Sequence, residues 1–206
     1  MAAFEETGLT VIGTHFGRIE DLRPDNTTNQ NTDQLGYTDA GIDLQTDQPF
    51  LDEPPRYQLL QAIVAAESGG DNFVVDAQAA AAYLAGVDAR DHELLTTVPV
   101  RFHRKQKAFE REVVSPVLSP SGAPFAVRFS YFTMAPHQVP FPTMRAWYRA
   151  YNHFTRIVRE PAHQYRFRLA PGDFVLYDNR RMVHGRNSFR GLRWLRGVYF
   201  GVAAVP

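Results

Sequence analysis

The apolar positions of this chain fall mostly into short runs, and such runs predict β-strands. They are rich in β-branched and aromatic residues, and several alternate with polar residues, as the two faces of a strand do. The runs cover residues 9–12, 57–65, 73–75, 98–102, 126–132, 165–169, 174–177 and 195–202. We therefore expect about eight short strands.

Two stretches carry a helical pattern instead. Residues 142–160 repeat large apolar side chains at spacings of three and four, and Pro161 ends the pattern. Residues 76–84 are rich in alanine and predict a shorter helix. Many short strands with one long helix predict a mainly β fold, a double-stranded β-helix (a cupin-like jelly roll) with the long helix packed on a sheet. No repeat or linker divides the sequence, so we expect a single domain over residues 1–206.

Polar segments separate these elements. Residues 24–36 have neither a helical nor a strand period. They predict a loop that covers or borders another part of the protein. Residues 69–71 and 171–173 each bring Asp directly after Gly and before an apolar run, which is typical of a tight turn.

Composition removes several classes of protein. A chain of 206 residues that is 44% hydrophobic and 13% aromatic is long and apolar enough for a sizeable core. The absence of cysteine excludes disulfides, zinc–thiolate sites and thiol nucleophiles. No apolar run approaches the roughly 20 residues of a membrane span, and the acidic first ten residues do not resemble a secretory signal. We expect a cytoplasmic protein with no membrane partner.

The formal net charge of zero conceals a division along the chain. Residues 1–100 hold 17 acidic and 4 basic residues, a net charge of 4 − 17 = −13, and residues 101–206 hold 18 basic and 5 acidic residues, a net charge of 18 − 5 = +13. Overall neutrality argues against a dedicated nucleic-acid binder. In a jelly roll the two halves interleave, so we expect these charges to compensate locally.

Six motifs suggest a chemistry when they are taken together. Residues 169–186 read LAPGDFVLYDNRRMVHGR, and residues 193–199 read RWLRGVY. Upstream are LGYT at 35–38, LQTDQPF at 44–50, QLL at 58–60 and GGDN at 69–72. The set resembles the Fe(II)/2-oxoglutarate oxygenases of the taurine dioxygenase and gamma-butyrobetaine hydroxylase superfamily.

The resemblance extends over roughly residues 10–202. Members of the family are usually longer at the amino terminus, so we expect this chain to lack their additional domain and the start of the catalytic domain. The family is also commonly oligomeric, which leaves a homo-oligomer as an open expectation.

The resemblance implies an iron site of two histidines and a carboxylate, which leaves open positions for co-substrate and O₂. Asp47 and His184 match the carboxylate and the distant histidine. Gln45 stands where the family has the first histidine of H-x-D, and an amide oxygen is the weaker ligand. Three alternatives stay open: Gln45 is itself a ligand, Asp43 or His15 replaces it, or the site binds no metal.

The resemblance also implies sites for two organic molecules. Arg193 matches the arginine that pairs with the far carboxylate of 2-oxoglutarate, and Asn72 stands where a Ser or Thr commonly assists it. On the same strand Arg196 points the other way and is expected in solvent. The substrate positions are Tyr37, Tyr199, Phe16, Glu20 and Phe50. They match part of an aromatic cage for a cation, which would suit a cationic amine, while a neutral or aromatic substrate and plain core packing remain alternatives.

Three functions follow from these expectations. The first is an active oxygenase that uses Fe(II), 2-oxoglutarate and O₂ to oxidise an unactivated C–H bond of a small molecule. The second is a non-catalytic member of the family that binds a ligand or a partner, which Gln45 favours. The third is an enzyme with a different metal or without 2-oxoglutarate.

Overall fold

The computed structural model describes residues 8–26 and 34–202. Its helices are α1 (Ala77–Val87), α2 (Ala89–Thr97) and α3 (Phe141–Arg159), with short 3-10 turns at Leu35–Tyr37 and Pro161–His163. Its strands are β1 (Leu9–Ile12), β2 (Glu20–Leu22), β3 (Ile42–Gln45), β4 (Tyr57–Val64), β5 (Ser68–Gly69), β6 (Asn72–Asp76), β7 (Val100–Gln106), β8 (Phe109–Ser115), β9 (Tyr165–Phe167), β10 (Phe174–Asp178), β11 (Met182–Arg186), β12 (Phe189–Arg190) and β13 (Trp194–Val202).

Two antiparallel sheets form the body of the molecule. The larger sheet has the order β1-β13-β4-β10, with β2 pairing a second part of β13. The smaller sheet has the order β3-β11-β6-β9. Strands that are distant in the chain are neighbours in both sheets, and a cavity is lined by side chains from both of them. The arrangement is a two-sheet sandwich.

The three helices cover the outer face of the smaller sheet. Trp147 and Phe154 of α3 are fully buried in the largest apolar cluster, which also contains Leu44 of β3 and Val183 of β11. Successive residues of a strand face opposite sides, so His184, which follows Val183, faces the cavity. Helix packing on one face therefore fixes the direction of the polar side chains on the other.

The strand and helix predictions agree with the structure in most places. The long helix and the alanine-rich helix are present, and Asp76 caps the latter by accepting hydrogen bonds from the amides of Gln78 and Ala79. Helix α2 was not predicted, although Asp88 caps it in the same way through the amide of Asp91. Because α2 extends to Thr97, β7 begins at Val100 and not at residue 98, where the strand was expected.

One predicted strand is wrong. Residues 126–132 form only an isolated bridge, between Val127 and Leu118. Their backbone groups bond to loops instead: Phe129 donates its amide proton to the hydroxyl of Thr46 and accepts the amide proton of Thr46. The segment ties elements together rather than extending a sheet.

Two predictions reach residues outside the described ranges. Of the predicted loop 24–36, residues 27–33 lie outside them. The same holds for residues 1–7, on which the prediction about a secretory signal partly depends. Across the described parts of the chain, no helix combines the length and the apolar character needed to cross a membrane.

Ion pairs join the acidic first half of the chain to the basic second half. Asp21 pairs with Arg196, Glu53 with Arg180 and Asp76 with Arg181. All are partly exposed, so each contributes little to stability. The charge division along the sequence is thus partly compensated in space, as expected for interleaved strands.

A buried carboxylate joins α2 to α3. Asp91 is 2% exposed, and its two oxygens lie 2.5 Å from Arg149 Nη2 and 3.0 Å from His153 Nδ1. Burial alone would raise the pKa of Asp91, but these hydrogen bonds outweigh it, so the pKa lies below its usual value. Asp88, Asp91 and His153 form a cluster whose ligand-type atoms lie within 4.8 Å of one another. Because Asp91 is already paired with Arg149, we interpret this cluster as a link between the helices.

Replacing this carboxylate tests its contribution to stability. We expect Asp91→Asn to lower the free energy of unfolding at neutral pH by about 2 kcal/mol, because it removes a charged partner from two hydrogen bonds. The lowered folded-state pKa means that the stabilisation is present above the unfolded-state pKa and is lost as the pH falls through the folded-state pKa. Urea unfolding at neutral and acidic pH measures both effects. The exposed Glu93→Gln on the same helix is the control, and equal stabilities of the two variants would contradict the prediction.

Candidate active site

A cavity of about 170 Å³ lies between the two sheets. The smaller sheet contributes Gln45, Asn72 and His184, and the larger sheet contributes Gln58 and Tyr199. Asp47, just after β3, also lines it. The cavity therefore brings together polar side chains that are far apart in sequence.

Three side chains converge at one point of its wall. His184 of β11 is the direct register partner of Gln45 of β3. Asp47 Oδ1 lies 3.4 Å from His184 Nε2 and 3.4 Å from Gln45 Nε2. His184 Nδ1 is buried and has no hydrogen-bond partner. The side chains of Gln45, Asp47 and His184 thus form one compact group.

A β-bulge in β3 decides which residues join this group. Gln45 pairs with His184, but Ile42 pairs with Arg186, so three steps along β3 oppose two along β11. The extra residue resets the alternation, and both Ile42 and Gln45 line the cavity. Asp43, which the sequence offers as a replacement for Gln45, is therefore not in position, because it lies outside the cavity and pairs with Arg159.

His15 does not join the group either. Its ring stacks on Phe109 with centroids 3.7 Å apart and contacts Phe16 at the same distance. Burial lowers the pKa of His15 to about 4. His15 does not line the cavity, so among the alternatives to Gln45 neither Asp43 nor His15 is in position.

The buried side chain of Asn179 and the half-buried side chain of Arg128 hold the segment that carries Asp47. Asn179 is 1% exposed; it accepts the amide proton of Asp47 at 2.7 Å and donates to the carbonyl oxygens of Asp47 and Pro55, each at 3.0 Å. Arg128 donates to the carbonyl oxygens of Pro49, Leu51 and Asp52. These bonds replace a sheet partner for the segment and fix the position of the carboxylate.

A chain of hydrogen bonds orients the carboxylate itself. Tyr199 donates its hydroxyl proton to Asp47 Oδ2 at 3.0 Å and accepts from Gln58 Nε2 at 3.0 Å. Gln58 Oε1 in turn accepts the hydroxyl proton of Tyr177. Burial, reinforced by the charge of Asp47, raises the pKa of Tyr199 well above its usual value, so the hydroxyl stays a donor.

Two buried arginines form a cationic end of the cavity. Arg193 donates to Asn72 Oδ1 at 3.2 Å. Arg186 donates to the carbonyl oxygens of Leu35 and Thr38 at 2.9 and 2.6 Å, while its Nη1 has no hydrogen-bond partner. The pKa of each guanidinium is lowered to about 10, by burial in both cases and, for Arg193, also by the nearby charge of Arg186. Neither forms an ion pair within the described part of the chain, so this end suits an anion.

A glycine turn gives this end its space. Gly69 and Gly70 have φ values of +70° and +75°, which favour glycine. A Cβ on Gly69 would lie 2.3 Å from the carbonyl oxygen of Ser188, and one on Gly70 would lie 3.4 Å from Arg193 Nε. The predicted turn therefore lets the backbone approach Arg193 closely.

An aromatic and acidic wall lies elsewhere in the cavity. Phe16, Glu20 and Phe50 line it, and all three are buried. Tyr37 lies behind this wall and donates its hydroxyl proton to Glu20 Oε1 at 2.8 Å. Burial raises the pKa of Glu20 to about 8, despite that hydrogen bond. The structure shows no ion pair to Glu20 from any described cation.

The residues named from the sequence therefore gather around one space. Those that line the cavity are Phe16, Glu20, Gln45, Asp47, Phe50, Asn72, His184, Arg193 and Tyr199. Tyr37 reaches it through Glu20. Tyr199, named as a substrate residue, contacts the carboxylate of Asp47 directly, and Arg196 is exposed, as expected.

Sequence reasoning did not assign roles to several residues that shape the site. Asn179, Tyr177 and Gln58 stand out in the sequence only as members of motifs, and Arg128 does not stand out at all. The signal for Asn179 and Tyr177 is their place in the motif at residues 169–186, and the signal for Gln58 is the motif at residues 58–60. Gln58 and Arg128 act through contacts with residues 141 and at least 76 positions away, and nothing local announces such contacts.

Comparison with known proteins gives this site a family. The model of the family described as "Taurine catabolism dioxygenase TauD, TfdA family" matches residues 2–199. The chain belongs to this family. It is 31% identical over 191 residues to a gamma-butyrobetaine dioxygenase of Pseudomonas sp. (strain AK-1), covering 90% of this chain and 49% of the relative. It is 30% identical over 171 residues to the mitochondrial trimethyllysine dioxygenase of Bos taurus, covering 79% and 41%.

Solved structures confirm the predicted jelly-roll fold class. The non-heme iron oxygenase OrfP, in complex with Fe, succinate and (3S)-hydroxy-L-Arg, superposes with a TM-score of 0.71 at 19% identity, covering 94% of this chain and 63% of that one. An asparagine oxygenase gives a TM-score of 0.69 at 18% identity, covering 89% and 56%. The chain spans about half the length of the curated relatives it matches.

An isosteric change tests the hydrogen bonds by which Asn179 holds the backbone of Asp47. In Asn179→Asp, a carboxylate oxygen would face the carbonyl oxygens of Asp47 and Pro55, so two hydrogen bonds become repulsive contacts. We expect the free energy of unfolding to fall by about 3 kcal/mol, measured by urea denaturation. The exposed Asn152→Asp is the matched control. Equal stabilities of the two variants would show that the hydrogen bonds of Asn179 do not stabilise the fold.

Proposed function

We propose that this chain carries the site of an Fe(II)- and 2-oxoglutarate-dependent oxygenase that oxidises an unactivated C–H bond of a small molecule. The observation that supports it most is that Gln45, Asp47 and His184 converge in the same cavity as Arg193. Arg193 forms no ion pair with any described residue. Because the chain belongs to a dioxygenase family, we interpret these residues as a metal and co-substrate site.

The donor atoms fit a divalent metal. Neighbouring ligand atoms of one octahedral ion lie about 3 Å apart when the bonds are about 2.1 Å long, and the two separations from Asp47 Oδ1 are 3.4 Å. Carboxylate and imidazole are two of the three groups of the usual iron triad. Rotating the amide of Gln45 by half a turn exchanges its nitrogen for its oxygen, which supplies the third donor.

Each residue then has a definite task. Asp47, His184 and Gln45 would hold the metal, and Tyr199 would keep the carboxylate of Asp47 in one orientation. Arg193, assisted by Asn72, would pair with the far carboxylate of 2-oxoglutarate. When bound, iron would supply the oxidising chemistry, in which the substrate C–H bond, O₂ and 2-oxoglutarate give the hydroxylated substrate, succinate and CO₂. The residues of the cavity would position the substrate for this reaction.

Matched arginine variants test the co-substrate site. Without O₂, we expect Fe(II) and 2-oxoglutarate to give the wild-type protein a visible charge-transfer absorption band, and succinate to form once O₂ is admitted. Arg193→Met should weaken 2-oxoglutarate binding about 100-fold or more, because it removes the buried partner of a charge. The exposed Arg196→Met on the same strand should bind normally. The absence of both band and succinate at millimolar iron would contradict the proposal.

Gln45 supports a second candidate, a non-catalytic member of the family that binds a ligand or a partner. In the structure the amide nitrogen of Gln45, not its oxygen, faces Asp47. This candidate predicts little iron in the wild-type protein, and a Gln45→His variant that gains iron without producing succinate. Stoichiometric iron in the wild type would exclude it. Metal analysis of the purified protein also detects an enzyme that uses a different metal.

We further propose that the substrate is an amine whose nitrogen carries hydrogen. Glu20 is 5% exposed beside the aromatic rings of Phe16 and Tyr37, and it has no cationic partner among the described residues. A primary ammonium group can pair with this carboxylate and donate a hydrogen bond to it, whereas a quaternary ammonium group has no hydrogen to donate. Glu20 thus favours a primary ammonium group over a quaternary one.

Two ligands that differ only at nitrogen test this preference. We expect calorimetry at a pH above the pKa of Glu20 to show 4-aminobutanoate binding about 10-fold more tightly than 4-(trimethylammonio)butanoate, because only the primary ammonium group donates a hydrogen bond to the buried carboxylate. Glu20→Gln should reduce this ratio, and the exposed Glu160→Gln should preserve it. Tighter binding of the trimethylated ligand by the wild type would refute the preference.

A further inference from the structure

The 3-10 turn Leu35–Tyr37 and the following Thr38, here called the 35–38 turn, carry part of the cavity wall. The first two residues of the turn line the cavity. Tyr37 is 6% exposed and donates its hydroxyl proton to Glu20 Oε1 at 2.8 Å, and it is the one described residue that donates a hydrogen bond to this carboxylate. The position of the 35–38 turn therefore decides how the carboxylate of Glu20 is held.

The 35–38 turn has few hydrogen bonds of its own. The amides of Tyr37 and Thr38 each donate to the carbonyl oxygen three or two residues behind the turn's own start and end, Gln34 and Leu35, at 3.0 and 3.1 Å, and no side chain caps the start of the turn. A single 3-10 turn is not stable by itself, since it fixes several backbone angles for few hydrogen bonds. Contacts from elsewhere in the fold must hold it.

Arg186 supplies such contacts. Its Nη2 donates to the carbonyl oxygens of Leu35 and Thr38 at 2.9 and 2.6 Å, so one nitrogen joins the two ends of the 35–38 turn. Hydrogen bonds from a charged donor are stronger than those from a neutral one. Arg186 is itself fixed, because it ends β11, which pairs with β3 on one side and β6 on the other, and because its guanidinium lies 4.9 Å from the ring centroid of Phe189.

The polar atoms of Arg186 face the turn and not a ligand. Nη2 is engaged with the two carbonyl oxygens, and Nη1 is closed off, with less than 1 Å² exposed. Arg193 lies over the same ring, 5.5 Å from the centroid of Phe189, and is the guanidinium proposed above for the co-substrate. The two neighbouring arginines therefore have separate tasks.

We propose that Arg186 is a positioning residue for substrate selection, which holds the 35–38 turn so that Tyr37 keeps the carboxylate of Glu20 in one orientation; this inference rests on the proposed function, because it concerns the amine preference assigned there to Glu20. Tyr37 occupies Oε1, which leaves Oε2 for an ammonium group. A hydrogen bond from a primary ammonium depends on direction, whereas the attraction of a quaternary ammonium to a charge depends on distance. Loosening the turn should therefore weaken the primary amine more.

The ratio of two affinities tests this inference. In the wild type, 4-aminobutanoate should bind about 10-fold more tightly than 4-(trimethylammonio)butanoate, and Arg186→Met and Tyr37→Phe should each bring the two affinities close together. Because Arg186 acts through Tyr37, the double variant should lower the ratio no further than Tyr37→Phe alone. Arg186→Lys, which keeps a charged donor, should retain part of the preference, and the exposed Arg190→Met should retain all of it. Equal weakening of both ligands by Arg186→Met, with an unchanged ratio, would overturn the proposal.

A measurement without ligand separates this inference from the proposed function. In protein with isotope-labelled tyrosine, the NMR signal of each ζ-carbon reports the hydrogen bonding of its hydroxyl, and Tyr37→Phe identifies the signal of Tyr37. Arg186→Met should move that signal towards the signal of the exposed Tyr165, and Arg190→Met should leave it in place. An unmoved signal in Arg186→Met would show that Arg186 does not hold Tyr37, and it would overturn the proposal. A failure of the oxygenase proposal would appear separately, as a missing absorption band with iron and 2-oxoglutarate.

Discussion

The hydrogen bonds between Asn179 and the backbone of Asp47 are the constraint on which the site depends. β3 ends at Gln45, so the segment that carries the carboxylate has no strand to pair with. Asn179 supplies both an acceptor and a donor to that segment from the end of β10. The carboxylate of Asp47 is thereby brought beside His184, and the larger sheet is linked to the group formed by Gln45, Asp47 and His184.

The same rigidity has two consequences within the cavity. Tyr199 can orient one oxygen of Asp47 because the backbone beneath it is fixed. Gln48 can be held at a positive φ with its amide unpartnered because Asn179 and Arg128 hold the segment on either side. A site built to bind several ligands in one small space, as proposed here, needs such fixed walls, and ligand binding would offset their cost in stability.

Charge is arranged by function inside the cavity and by compensation outside it. Surface pairs such as Asp21 with Arg196 offset the division of charge along the chain. Arg193 and Glu20 instead stay buried without partners of opposite charge among the described residues, and burial lowers the pKa of Arg193 and raises that of Glu20. These two groups suit ligands of opposite charge at different parts of one cavity.

The family, the mainly β class and the long helix could be predicted from the sequence, because motifs and apolar periodicity are local signals. The same motifs pointed to Asp47, His184 and Arg193 as candidate site residues. The bulge in β3, which turns Asp43 outwards and Gln45 inwards, could not be predicted, because the extra residue in the register is set by pairing with β11 and not by composition. For the same reason residues 126–132, whose apolar pattern predicts a strand, instead form hydrogen bonds to Thr46, and the role of Asn179 depends on contacts between distant parts of the chain.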